Sequence, residues 1–207
     1  MARRTAAEAA KTRDDILDAG RRLFTERGYA GASVPDVANA AGVTHGALYH
    51  HFENKHALFR AVFEEVERGL NERVLAAASR HDDIWDGFLA GTREVLVAMA
   101  TPEFQQICLA DAPAVFGAQE WHAVDSGIGY RTMRGGIELL HAAGYLRDAD
   151  LEAVATLLFG GLTEACIQLA RAGTTNGSRK PADDELTVDR VVDTTAAIIL
   201  ALSPGKP

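Results

Sequence analysis

The run Thr44-His45-Gly46-Ala47-Leu48-Tyr49-His50-His51 holds the residues of this 207-residue chain whose types and spacing suit recognition chemistry. Placed at about 100° steps on a helix, Leu48 and Phe52 share one side, while Gly46, Ala47 and His50 point the opposite way. Tyr49 and His51 flank that outer face, and His45 projects from its N-terminus. The face carries small residues, imidazoles and a phenol in place of long apolar groups. It is suited to lie against a nucleic-acid groove and its phosphates. Metal chemistry fits poorly, because His50 and His51 point about 100° apart and no Cys or third ligand joins them. Enzyme chemistry has less support still: the sequence shows no phosphate-binding Gly loop, no metal spacing and no nucleophile–base pair.

The surrounding residues specify how that face is held. Ser33 with Asp36 forms a capping box opening one short helix, with Pro35 tolerated in the first turn. Gly42 is the natural residue to end it in the left-handed C′ position. Thr44 then caps a second helix over about 45–52, and Val43 stands at staple spacing from Leu48. Two capped helices joined by a tight turn are a helix-turn-helix. The second has only about two turns, below the roughly 12–15 residues an isolated helix needs, so it must be clamped from behind.

The rest of the chain has helical period throughout and no alternating runs that demand a sheet. A first helix starts at a Thr5–Glu8 box, buries Ile16, Leu17, Gly20, Leu23 and Phe24, and ends at Gly28. Asn54 caps a long helix over 55–79 with a stripe of Leu58, Phe59, Val62, Phe63, Val66 and Leu70. Asp82 caps the next, whose buried face is Ile84, Trp85, Phe88, Leu89, Val95, Leu96 and Met99. Thr101 caps a helix with Pro102 at its first position, and Asp111-Ala112-Pro113 turns the chain within 104–116. A helix over 118–143 is weakened by Gly127, Gly129, Gly135 and Gly136, where neighbouring backbones approach or the helix bends. The helix over 151–172, ended by Gly173, is apolar nearly all round and must be buried on more than one side. A polar loop, 174–182, precedes a last helix over 183–202.

Composition is that of an ordinary globular protein, 47% hydrophobic and 24% charged. The net charge of -8 is unevenly spread: residues 1–60 carry nine Lys/Arg against seven Asp/Glu, and the remainder twelve against twenty-two. Four of the seven histidines, 45, 50, 51 and 56, also lie in the first part. A mildly basic head on an acidic body fits a protein that touches DNA with one end. Arg3 and Arg4 are either a DNA-seeking arm or a solvated end. Cys108 and Cys166 lie in apolar helical patterns and are expected as reduced, buried thiols in the cytoplasm. No secretory leader is read, and no apolar run approaching about 18 residues, so no membrane partner is expected.

Residues 33–59 resemble the TetR family of bacterial transcription regulators. The likeness lies in the short helix, the Ala-Gly-Val turn, the Gly-x-Leu-Tyr-x-x-Phe helix and the Lys-x-x-Leu-Phe opening of the next. The resemblance implies an all-α protein with a three-helix helix-turn-helix DNA-binding domain, residues 1–54. A larger helical ligand-binding and dimerisation domain, 55–207, follows. It implies a homodimer bound to double-stranded, palindromic operator DNA, most often as a repressor, with an unidentified small-molecule ligand lowering affinity and no cofactor. Thr44, Tyr49 and Lys55 then fall at phosphate contacts, and His45, Ala47 and His50 at positions facing bases or nearby phosphates. Gly46 permits close approach, and Ser33 completes the DNA-facing set. A helix-start hydroxyl with its N–H groups receives phosphate oxygen, and the Ala47 methyl can meet a thymine methyl. Within the body, Thr92, Trp121, His122, Tyr130, Glu164 and Gln168 are the polar or amphipathic candidates for ligand contact. The helices over 151–172 and 183–202 are the expected dimer interface, a four-helix bundle across a two-fold axis. The rival readings are an all-helical enzyme and a regulator that reads a protein partner.

Overall fold

The computed structural model describes residues 6–117, 127–146, 149–175 and 186–202, and among these every regular element is helical. Packing groups residues through Val66 with a later segment beginning at Pro102, and places the chain from Glu67 to Thr101 and most of the remainder in a second unit. The chain thus enters the first unit twice.

In the first unit, α1 (Ala6–Gly31) buries the expected Ile16, Leu17, Gly20, Leu23 and Phe24. Thr5, half of the expected capping box, lies outside the described residues. Gly28 breaks α1 without ending it: its φ of 67° and ψ of 171° interrupt the helix, and a further turn reaches Gly31. That backbone region is essentially reserved for glycine. A β-carbon there would also stand 2.9 Å from Gln106 Nε2.

α2 (Val34–Ala40) opens with the predicted Ser33–Asp36 capping box. It closes in a Schellman arrangement: Val43 N–H donates to the Ala38 carbonyl at 3.0 Å and Gly42 N–H to the Asn39 carbonyl at 3.1 Å. Gly42 takes a φ of 67°, as its position requires. α3 (His45–His51) follows Thr44, whose hydroxyl accepts from Ala47 N–H at 3.2 Å. α4 (Lys55–Ala78) begins after Asn54, whose side-chain oxygen accepts from Ala57 N–H at 2.8 Å. All six predicted stripe residues of α4 are buried.

The turn expected at Asp111-Ala112-Pro113 is absent. α6 starts at Pro102, passes through a π-helical stretch, Gln105–Asp111, and continues over 112–117. A proline inside an α-helix lacks a donor and strikes the carbonyl four residues back. Here Ala112 N–H already donates to Ile107, five residues back, so the ladder is open where Pro113 enters.

In the second unit, α5 (Ile84–Met99) is capped by Asp83, one residue later than expected. Its carboxylate accepts from Trp85 N–H at 2.8 Å, which Asp82 is too far back to reach in cap geometry. Ile84, expected inside, is 41% exposed. Gly87, Gly91, Thr92 and Ala98 are buried instead, because α4 approaches so closely that a β-carbon on Gly87 would stand 3.0 Å from the Ala78 carbonyl oxygen. Thr101 does not make the expected cap; its hydroxyl donates back to the Ala98 carbonyl at 2.8 Å.

α7 (Gly129–Ala142) is shorter than the expected 118–143, of which 118–126 lie outside the described residues. Two of its glycines admit aromatic rings, not backbones: a β-carbon on Gly136 would lie 3.0 Å from the Phe88 ring, and one on Gly129 3.2 Å from that of Phe159, whereas Gly135 faces open space. α8 (Leu151–Thr175) runs on through Gly173, since an interior glycine costs only about 1 kcal/mol, which packing elsewhere on the helix outweighs. α9 (Val188–Ala201) starts at a Thr187 cap, later than the expected 183, and 183–185 lie outside the described residues. Among the described residues of this unit, one core cluster gathers around Ile137, Leu140, Leu146, Leu158 and Ile199 and another around Leu96, Leu162, Cys166 and Val192.

Burial of α8 is one-sided. Val154, Ala155, Leu158, Leu162 and Cys166 are inside, whereas Leu157 is 75% exposed and Gly160 and Gly161 face outward. Residues Leu151–Arg171, with mean hydropathy 1.5, are by length and composition enough to cross a membrane, although Glu152, Glu164 and Gln168 interrupt any continuous apolar run. The leucines with Val154, Phe159 and Ile167 raise the average, while a packed inner face coexists with these polar residues. Burial pushes the Cys166 thiol up to about 12, so it is an inert packing group.

Gly28→Ala is expected to lower stability by about 1–3 kcal/mol, because alanine does not adopt this backbone readily. Urea unfolding of the two proteins checks it.

Candidate nucleic-acid interface

Seven residues make α3, too few to hold a helix unaided, and its inner side supplies the clamp. Leu48 is fully buried and Phe52 is 5% exposed. Each contributes roughly 1.5–3 kcal/mol of apolar burial. Behind them stands an aromatic cluster in which Phe24 meets Phe59 edge-on at 5.1 Å, Tyr29 meets Phe59 at 5.1 Å and Phe116 meets Phe59 at 5.5 Å. The Arg13 guanidinium covers the Phe52 ring at 5.4 Å.

The outer side is as the 100° steps predict. Thr44, His45, Gly46 and His50 are exposed, Ala47 is half-buried, and Tyr49 is 51% exposed. These six residues form one continuous surface on a single short helix and its cap. His50 and His51 meet edge-on at 5.6 Å.

Ser33 and Lys55 are more committed than their sequence positions suggest. The Ser33 hydroxyl donates to Asp36 Oδ2 at 2.6 Å and accepts from Asp36 N–H at 3.2 Å, so it serves chiefly to start α2. Its hydrogen bond, then the Arg27 charge 3.6 Å away, hold the Asp36 carboxyl below its ordinary value of 3.8. The half-buried Lys55 sets its ammonium over the Tyr29 ring, 4.2 Å from the centroid. Tyr29 is a residue the sequence reading passed over; its place directly after Gly28 was the available signal.

α6 is the other participant that sequence did not reveal. Arg21 on α1 makes a two-pronged ion pair with Glu103, with Nη2 to Oε2 at 2.8 Å. Glu103 raises the Arg21 pKa through that hydrogen bond, against the opposing effect of burial. Tyr29 N–H donates to Asp111 Oδ2 at 2.6 Å.

Among the described residues, the expected ligand contacts each hold a hydrogen bond within the protein. Thr92 is buried with its hydroxyl donating to the Phe88 carbonyl at 2.9 Å. The Tyr130 hydroxyl donates to Glu152 and lies 3.2 Å from Thr156 Oγ1. Gln168 donates to Glu164 at 3.0 Å on the exposed side of α8. Trp121 and His122 lie outside the described residues. Among the described residues no group of three or more His, Cys, Asp or Glu is placed to hold a metal ion.

A capped helix-turn-helix on an all-helical body defines the class of helix-turn-helix regulators. Residues 16–62 match the pattern of bacterial regulatory proteins of the TetR family, and residues 85–193 match that of the tetracyclin repressor-like C-terminal domain. The chain belongs to the TetR family.

Among curated relatives, the transcriptional regulator AcrR of Shigella flexneri is 46% identical over 72 residues, 35% of this chain. The match spans only 34% of AcrR's own length. A TetR-family transcriptional regulator of Pectobacterium atrosepticum is 32% identical with a TM-score of 0.78, and the alignment covers 99% of this chain and 100% of that one. The regulator FadR of Bacillus subtilis, solved with stearoyl-CoA, shares the fold at 16% identity and a TM-score of 0.67, with 94% and 99% covered.

Two outcomes are expected for the caps. Thr44→Ala costs about 0.5–2 kcal/mol and frays α3 first, seen as faster amide exchange at Leu48 than at Val37. For Asp36, a folded pKa below the unfolded one means that its stabilisation is complete at neutral pH and is lost as pH falls through the depressed value. Ser33→Ala moves the Asp36 titration back up toward 3.8, read by carboxyl NMR.

Proposed function

We propose that this chain represses transcription as a homodimer that grips a palindromic operator with two copies of α3. A small molecule entering the body releases it. The observation that carries this reading is the outward surface of Thr44, His45, Gly46, Ala47, Tyr49 and His50 on a helix clamped from behind. In this reading residues 1–54 supply the DNA contacts and 55–207 the ligand and dimer contacts. Thr44, Tyr49 and Lys55 position the protein on phosphates, Ser33 supports them, and His45, Ala47 and His50 face the bases across the gap that Gly46 leaves open.

The uncovered side of α8 supports the dimer. Leu157 together with Ile198 and Leu200 of α9 and its C-cap Leu202, at 40–48% exposure, leaves apolar surface that a second copy would cover. Two recognition helices then meet successive major grooves about 34–36 Å apart. For the ligand, Thr92 and Tyr130 with Trp121 and His122 are the proposed contacts. The outward pair Glu164 and Gln168 belongs better with the dimer surface. FadR of B. subtilis holds an acyl-CoA on the same fold. A protein that acts in this way works in the cytoplasm and needs neither enzymatic chemistry nor a cofactor.

Mobility shift on palindromes from the flanking DNA, across a salt series, tests the core of the proposal; binding that weakens steeply with salt is expected, and its absence on every genomic fragment overturns it. Tyr49→Ala should weaken all sequences about equally, whereas His50→Ala and Ala47→Ser change the preference between operators. Leu157→Glu should shift the sedimenting species from dimer to monomer. Native mass spectrometry of the purified protein identifies a retained ligand, and adding that compound should release the DNA.

A further inference from the structure

We infer that Asp111 of α6 is a positioning residue for the DNA-facing surface, acting on Lys55 through Tyr29. The inference rests on the DNA-binding reading of Lys55. Every contact in it lies within the first unit.

The chain of contacts is short. Gly28 takes a backbone that breaks α1, so Tyr29 starts a new direction, and its N–H donates to Asp111 Oδ2 at 2.6 Å. The hydrogen bond is to a charged acceptor, among the stronger kinds available to a backbone amide. It fixes the residue whose ring meets Phe24 at 6.1 Å and Phe59 at 5.1 Å. The open face of the same ring receives the Lys55 ammonium at 4.2 Å. Lys55 opens α4, and Phe59 lies one turn further on, so Tyr29 rests on α4 at two successive turns. An ammonium held against a ring has fewer positions than one on a free four-carbon stem, and the freedom lost here is not lost again on meeting a phosphate.

The setting of Asp111 is specialised. It closes the π-helical stretch Gln105–Asp111, a local form that α-helices adopt in single turns and that often marks functional positions. Gln106 of the same stretch occupies the space beside Gly28 that any β-carbon would take. Arg21–Glu103 pins the start of α6 to α1, two turns before the break. A change of register in the π-helical stretch would carry Asp111 away from Tyr29 N–H and free the ring beneath Lys55.

Five proteins test this: wild type, Asp111→Ala, Asp111→Asn, Lys55→Ala and the double variant Asp111→Ala/Lys55→Ala. Operator affinity is measured from 50 to 300 mM salt. Asp111→Ala is expected to weaken binding several-fold and to lower the slope of log affinity against log salt by about 1, as loss of one phosphate contact does. Asparagine keeps an acceptor oxygen, so Asp111→Asn should stay close to wild type. The double variant should be no weaker than Lys55→Ala alone, since both remove the same contact. Without DNA, NMR should show the Lys55 side-chain protons leaving the ring-current-shifted position over Tyr29 in Asp111→Ala but not in Asp111→Asn. Unchanged slope and unchanged Lys55 shifts in Asp111→Ala, or additive losses in the double variant, overturn the inference while wild-type binding leaves the proposed function standing. If wild type binds no DNA while Asp111→Ala still moves the Lys55 shifts, the functional reading is overturned and the Asp111–Tyr29–Lys55 linkage remains.

Discussion

The constraint on which the first unit depends is that α3 is two turns long and cannot exist by itself. Its order is borrowed from one cap and two side chains, the Thr44 hydroxyl at the front and Leu48 with Phe52 behind. In the same unit α1 and α4 bring Phe24 and Phe59 together edge to face. α6 adds Phe116 to the same cluster, against Phe59 and Phe63. The unit is therefore ordered from the inside outward, and the surface that faces a partner is its last layer.

Local chemistry was the part of the fold that the sequence displayed openly. The Ser33–Asp36 box, the Gly42 terminus and the Thr44 cap are each written within four residues, and each forms as its side chains dictate. The helical stripe of α4 was readable for the same reason, since one face repeats every three or four residues. What failed depended on partners distant in the chain. Pro113 reads as a breaker until the π register opens the ladder ahead of it. Gly136 reads as a weak point in a helix until the Phe88 ring takes up the space. Ile84 reads as core until α4 presses on the glycines of the next turn.

The candidate site divides along the same line. Its exposed face follows from angular spacing on one short helix, so the residues were legible individually and as a set. The support beneath it was not, because Tyr29 and Asp111 stand 82 residues apart and neither belongs to a recognisable motif. Ligand contacts in the body were the least legible. A buried threonine such as Thr92 satisfies its own helix carbonyl as readily as a ligand, and residue type alone does not distinguish the two.

The outward set of α3 has an evolutionary corollary. His45, Ala47 and His50 do not belong to the buried core that keeps the first unit folded, whereas Leu48 and Phe52, their neighbours in sequence, do. Mutations at the first three can therefore drift with little effect on folding, while the last two are held nearly fixed. A lineage carrying this scaffold is free to explore new binding preferences one substitution at a time, each intermediate remaining a foldable protein.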